Sequence, residues 1–239
     1  LSMHCSFLIG PLIQSTMSKA RPELLGYDQE QIKMMEEACI LVDKDDNILG
    51  KDTKVNCHLG EGKLHRAFSV LLFNSSGKLL IQKRASEKIT FPSIWANSCC
   101  SHPLHIDSEV NGIDGAKTAA KRKMEQELGI EPDEIKLEQL NYMTKMVYKA
   151  RADEKWVEHE LDYIFAIKCD LDINPNKIEI EETKYVNLEE LDSLFDDKKA
   201  KIGPWFKLIK ENFLNDIWKA LDNLGEIRDN KIHYMGDCE

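Results

Sequence analysis

The sequence predicts a single α/β domain, and three observations carry that prediction. From Ala38 onward, short apolar runs bounded by turn residues alternate with helical stretches. Ala116 to Leu128 places apolar residues at 116, 119, 120, 124 and 128, the spacing of one helical face. No internal repeat, low-complexity tract or linker divides the chain, so strands and helices belong to one core.

Taken in order, Cys39–Val42 and Ile48–Leu49 flank Asp45-Asp46-Asn47 and read as a hairpin. Ala67–Phe73 and Lys78–Gln82 flank Asn74-Ser75-Ser76-Gly77, a second hairpin with Gly at its end. The Ala116 helix is stopped by Gly129. Tyr142–Tyr148 and Leu161–Ile167 read as strands and Leu188–Phe195 as a short helix. A longer helix is expected from Pro204, which a first turn tolerates, to about Leu224. The polar stretch Leu104–Gly115 is too short to link two domains. Near the start, apolar Phe7–Ile13 is short, is broken by Gly10-Pro11 and has no basic cluster before it, which argues against a secretory signal. Residues 1–25 are therefore set apart as an N-terminal extension, disordered or a transit remnant, and 26–239 as the domain.

Composition narrows the function. The 239 residues are 42% hydrophobic and 31% charged, ordinary for a packed soluble protein. With 32 Lys and Arg against 42 Asp and Glu, the formal charge is −10, which argues against nucleic acid as a partner. An anionic ligand would need cations gathered locally. Seven cysteines, odd in number and without a CxxC pair, predict a reduced, cytoplasmic protein rather than a disulfide framework. No apolar run is long enough to span a bilayer.

Three sets of residues could carry chemistry. His58, His65 and His102 lie close to other reactive side chains, and Glu158-His159-Glu160 precedes the Leu161 strand, with 158 and 160 on one face of an extended chain. Three imidazoles and two carboxylates suit octahedral Mg²⁺ or Mn²⁺ better than tetrahedral zinc. Spacing leaves two alternatives open: solvated surface groups, or a structural zinc held by Cys57-His58 and Cys99-Cys100-x-His102. Cys100, two residues from His102, sits where nearby cations would lower a thiol pKa; the alternative is a small core residue. Lys54, Arg84, Lys88 and Arg122-Lys123 recur near these segments, each a solvated charge by itself and together a grip for a diphosphate. Lys123 and Glu127, four apart, predict a weak ion pair of roughly 0.2–0.5 kcal/mol.

Leu64-His65-Arg66-Ala67-Phe68-Ser69, Trp95-Ala96-Asn97-Ser98-Cys99-Cys100-Ser101-His102-Pro103 and Trp156-Val157-Glu158-His159-Glu160 resemble, in order and spacing, the type 1 isopentenyl-diphosphate isomerases. The likeness runs from about Met35 to Trp218, and Asp162-Tyr163 with Gly203-Pro204-Trp205-Phe206 resemble the eukaryotic branch. It implies a Nudix-like α/β/α sandwich with mixed sheets. Arg122–Ile130 resembles a degenerate Nudix helix: Lys123 and Gln126 stand where the signature has Glu, and Ser108 where it has Gly. Those departures argue against the competing Nudix diphosphate hydrolase; a zinc-stabilised binding module is a further alternative.

The resemblance further implies interconversion of isopentenyl and dimethylallyl diphosphate through a tertiary carbocation. His58, His65, His102, Glu158 and Glu160 would hold Mg²⁺, with Mn²⁺ or Zn²⁺ as alternatives. Cys100 and Glu160, assisted by Tyr148, would move the two protons, and Trp205 would face the isoprenyl carbons. Lys54, Arg84, Lys88 and Lys123 would contact the diphosphate, with a second Mg²⁺ bridging it to Glu127; Lys123 stands where the family has Arg. The Pro204 helix and the N-terminal segment would cover the pocket. A monomer is implied.

Overall fold

Asp43 turns the chain at the first hairpin. Its carboxylate accepts hydrogen bonds from the backbone N–H groups of Asp45 and Asn47, and Asp46 takes a φ of 70°. Strand β1 (Ala38–Val42) then returns as β2 (Ile48–Thr53), with Ala38 opposite Thr53. The computed structural model describes residues 21–238. Of the stretch set apart at the N-terminus, residues 1–20, with Phe7–Ile13, lie outside the described residues. Leu24, from the short turn Pro22–Leu24, is buried beside Met35, Val55, Ile89 and Trp156, so this turn is pinned to the domain through that side chain. Helix α1 (Gln29–Met35) follows, capped by Asp28, and α2 (Lys54–His58) is capped by Thr53.

Every residue of β3 (His65–Phe73) is buried, as a near-continuous apolar run demands. This strand is the hub of the sheet. It pairs with β4 (Leu79–Arg84), β6 (Cys99–Ser101), β1 and, in parallel, β8 (Val157–Lys168). Beyond β8 lie β7 (Asn141–Arg151) and β10 (Ile232–Cys238); β4 carries β5 (Trp95–Ala96) and β9 (Ile180–Val186). The pleat splits β3 between two cores. Phe68, Val70 and Leu72 meet Ala116, Ala119, Ala120 and Met124 of α3 (Gly112–Leu128). Leu71 and Phe73 face the opposite layer, where α4 (Leu188–Asp196), α5 (Pro204–Ile209) and α6 (Asn215–Lys219) supply Leu191, Trp205, Phe206, Ile209 and Ile217. The result is a mixed sheet between helical layers, the α/β sandwich expected.

Both hairpins, the α3 helix with Gly129 in the left-handed conformation at its end, and the strands β7 and β8 lie where the sequence places them. Two glycines are needed for packing: a Cβ on Gly115 would come 2.2 Å from the Glu109 carbonyl, and one on Gly129 2.2 Å from that of Asn174. The long helix expected from Pro204 to Leu224 is a correction. It runs as α5, one π turn at Lys210–Leu214, and α6, which ends at Lys219. Ile209 and Leu214 are five apart and both buried; the wider π turn keeps both against the sheet. Strands β9 and β10 carry too few apolar residues for alternation to reveal them; their backbones pair at sheet edges.

Met124 has no exposed surface in the core under α3. Met124→Ala should lower unfolding free energy by about 2–5 kcal/mol with an unchanged denaturant slope, measured by urea titration.

Candidate active site

Pairing aligns three side chains across neighbouring strands. His65 of β3 is opposite Glu160 of β8, and Glu160 is opposite Tyr148 of β7. All three therefore project from the same face, as does Glu158 two residues before Glu160. Cys100 of β6 is opposite Ser69, which shares the β3 face of His65. His58, at the end of α2, and His102, just past β6, complete the group.

The three imidazoles lie with ring centroids 4.8 to 5.1 Å apart. His58 and His65 each direct Nδ1 at a backbone carbonyl, that of Lys54 and of Lys63, both at 2.6 Å. As Nδ1–H donors they leave the Nε2 lone pairs pointing inward. One ligand atom from each of His58, His65, His102, Glu158 and Glu160 lies within 4.8 Å of every other. His58 Nε2 is 2.6 Å from Glu158 Oε2. The two are not aligned as a hydrogen bond, however, and both atoms, with His65 Nε2, are buried without a partner. Such orphans cost about 1–3 kcal/mol each. A cation shared by these lone pairs removes that cost, so the donor set fits a divalent metal. Burial, with the His58 ring beside it, pushes His65 down to about 3. Burial likewise holds His102 well below the ordinary value, with Lys54 adding to the effect. Both are neutral, as ligands must be.

The two carboxylates split. Burial raises Glu158, but the His58 and His102 rings against it outweigh that and bring its carboxyl well below the usual range. Burial and the neighbouring Glu158 hold Glu160 well above it. Glu160 Oε1 lies 2.6 Å from His102 Nε2, and Oε2 accepts from the Tyr148 hydroxyl at 2.6 Å. Asp162, next along this face, accepts from Ser69 at 2.8 Å and leaves its other oxygen unpartnered.

One narrow cavity gathers Lys54, Arg84, Lys88, Cys100, His102, Tyr148, Glu158, Glu160 and Trp205. Arg84 Nη1 is 3.8 Å from Cys100 Sγ. The expectation that cations lower this thiol is reversed: burial outweighs Arg84 and pushes Cys100 up to about 12, so it is a neutral thiol. Trp205 is fixed by its Nε1–H donating to Asn97 Oδ1 at 3.0 Å, and Phe91 meets its face edge-on at 5.4 Å.

Lys123 and Glu127 stand outside this lining. They pair at 3.2 Å, nearly buried, where the sequence suggests a solvated pair. Lys123 borders a neighbouring cavity with Gln126 and Glu179. Arg122 instead clamps Glu109 and donates to the His102 carbonyl at 3.3 Å. The cysteine–zinc alternative does not form among the described residues: no thiol belongs to the ligand group, Cys99 Sγ lies 3.7 Å from Glu127, and Cys57 Sγ points to the Asp52 carbonyl. Asn97, Asp162, Gln31 and Glu179 escape sequence reasoning. Asn97 is inside a quoted motif, but its partner Trp205 is 108 residues away.

The NUDIX domain profile matches residues 63–206. The chain is similar to "Isopentenyl-diphosphate delta-isomerase IDI1" of Gibberella zeae, 48% identical, over 84% of this chain and 83% of the relative. It is 46% identical to "Isopentenyl-diphosphate Delta-isomerase 1" of Mus musculus, over 87% of this chain and 96% of that one. In fold it is similar to the crystal structure of DR0079 from Deinococcus radiodurans, with a TM-score of 0.56 at 17% identity, covering 74% and 99% of the two chains.

Adding Mn²⁺ or Mg²⁺ to chelator-treated protein should raise Tm, by about 2.7 kcal/mol of stability at a hundredfold excess over Kd. His65→Ala should abolish that rise, read by calorimetry; a rise that persists in the variant would place the metal elsewhere.

Proposed function

This chain belongs to the isopentenyl-diphosphate delta-isomerases, built on a NUDIX domain, and we propose how its own residues carry the reaction. The enzyme interconverts isopentenyl and dimethylallyl diphosphate in isoprenoid biosynthesis. The observation that carries the residue assignment is the convergence of Cys100, Glu160 and Trp205 on one cavity beside the His/Glu cluster.

Lys54, Arg84 and Lys88 take the diphosphate at the cationic wall. His58, His65, His102, Glu158 and Glu160 would hold Mg²⁺, or Mn²⁺ or Zn²⁺ in its place, and Glu127, paired with Lys123 behind the wall, would be the carboxylate for a second Mg²⁺ arriving with the substrate. Such a charge would polarise the groups around it and keep the carboxyls in place. An alkene is a feeble base, so its protonation needs a well-placed acid. Glu160, oriented by Tyr148, delivers a proton to the methylene carbon, leaving a tertiary cation at C3. The face of Trp205 stabilises that cation by about 2 kcal/mol when water is excluded. Cys100 removes a proton from C2 and the double bond closes between C2 and C3. One proton is added and one lost, with no net oxidation. For this direction Cys100 must first be a thiolate, which the Arg84 guanidinium beside Sγ favours. The neutral thiol is the form that starts the reverse reaction, donating to C2 while Glu160 as carboxylate takes the methyl proton. The enzyme works as a monomer in the cytoplasm; the six described cysteines are free, as a reducing compartment allows. No helix among the described residues is long and apolar enough to cross a membrane.

The test is conversion of labelled isopentenyl diphosphate with Mg²⁺ to acid-labile product. Cys100→Ala and Glu160→Gln should each lower kcat by about 10²–10⁴-fold. Turnover surviving both substitutions would remove the residue assignment. Trp205→Leu should lower kcat about 30-fold, the rate equivalent of the lost cation–π contact.

A further inference from the structure

Lys88 reaches the cavity from a buried position, and a buried carboxylate stands behind it. Its Nζ lies 2.5 Å from Glu179 Oε2, with the two side chains 10% and 3% exposed. The other oxygen of Glu179, Oε1, accepts from Gln31 Nε2 of α1 at 2.7 Å, and the same amide also reaches the Ile178 carbonyl. The Glu179 carbonyl accepts from the Ala85 N–H at 3.0 Å, and the Lys88 N–H donates to Ala85. Backbone and side chain of Glu179 thus both fix the segment that presents Lys88.

We propose that Glu179 is a positioning residue for this reaction: clamped by Gln31, its carboxylate keeps Lys88 charged and aimed at the substrate's diphosphate. The proposal rests on the reading of Lys88 as a diphosphate contact. A lysine at this depth without a counter-charge is driven toward its neutral form. Burial does lower Lys88, and Glu179 is the largest opposing charge. Burial likewise raises Glu179, but Lys88 and Lys123 overcome it and hold the carboxyl down at about 2, so it is charged at any working pH. An ammonium has three N–H donors. Glu179 occupies one, and Lys88 still lines the cavity with the rest of its head group. The carboxylate is tied on both oxygens, so it anchors the lysine and is not free to swing away when the anion arrives.

The experiment measures steady-state isomerisation of isopentenyl diphosphate, and inhibition by inorganic pyrophosphate as a probe of anion binding. Wild type is compared with Glu179→Gln, Glu179→Asp, Lys88→Met and the Glu179→Gln/Lys88→Met double variant, with Tm recorded for each. Glu179→Gln should raise KM and the pyrophosphate inhibition constant about tenfold, the loss of one charge-assisted contact, with kcat within threefold. Glu179→Asp, with the charge kept but drawn back, should fall between Gln and wild type, and it serves as the measurement if Glu179→Gln fails to fold. The double variant should be no worse than Lys88→Met. Tighter pyrophosphate binding in Glu179→Gln would mean that Glu179 competes with substrate for Lys88 and would overturn the proposal. Additive losses in the double variant, or a fall in Tm with KM unchanged, would reduce Glu179 to a structural residue. Normal anion binding by Lys88→Met would instead show that Lys88 is not a diphosphate contact, and the proposal would fall with it.

Discussion

Nine consecutive residues of β3 run parallel to nine of β8, from His65 against Glu160 to Phe73 against Lys168, and the site hangs on that register. Side chains alternate along a strand, so a slip of one residue would turn Glu158 and Glu160 into the α3 layer and leave the three histidines facing apolar groups. The register is held by burial on both faces. Phe68, Val70 and Leu72 are committed to one core, and Leu71 and Phe73 to the other. Tyr148 then meets Glu160 because β7 pairs in turn with β8. The catalytic geometry is therefore a by-product of core packing a few residues further along the same strands.

Charge is managed by pairing in advance. In a chain with a formal charge of −10, Arg84 and Lys88 lie almost out of water, and each is given local acceptors. Arg84 donates to the carbonyls of Phe91 and Thr90, and Lys88 to Glu179. Such contacts hold the cations in position before the ligand arrives, so less side-chain freedom is lost on binding. The same economy operates in the His/Glu cluster, where backbone carbonyls select the tautomers of His58 and His65 and burial keeps His65 and His102 neutral. The unpartnered nitrogen and oxygen atoms left over share one small volume, which is the signature of a cation site rather than a polar core.

The Trp205 ring is held from two sides. Its indole N–H is anchored to Asn97, and the Phe91 ring packs perpendicular to it. Phe91 itself takes a φ of 48°, unusual for an aromatic residue, while its carbonyl accepts from Arg84. One loop thus fixes both the Arg84 guanidinium and the Trp205 ring at the cavity.

The His, Cys and Glu positions of the site were legible in the sequence because they sit in compact motifs whose order and spacing are themselves specific. The hairpins and α3 were legible because turn residues and apolar periodicity are local signals. The edge strands β9 and β10 were not, since their backbone pairing depends on neighbours and their side chains are largely polar or exposed. Nor was the break in the Pro204 helix, which answers to the sheet beneath it. Sequence by itself determined which chemical groups this protein has and which local segments carry them. Tertiary structure alone decided that Cys100 is a half-buried neutral thiol, that Lys123 and Glu127 pair behind the cavity, and that Glu179 reaches Lys88 from 91 residues away. The reason is physical: protonation and ion pairing respond to burial and to neighbours distant in the chain, and neither is written in local order.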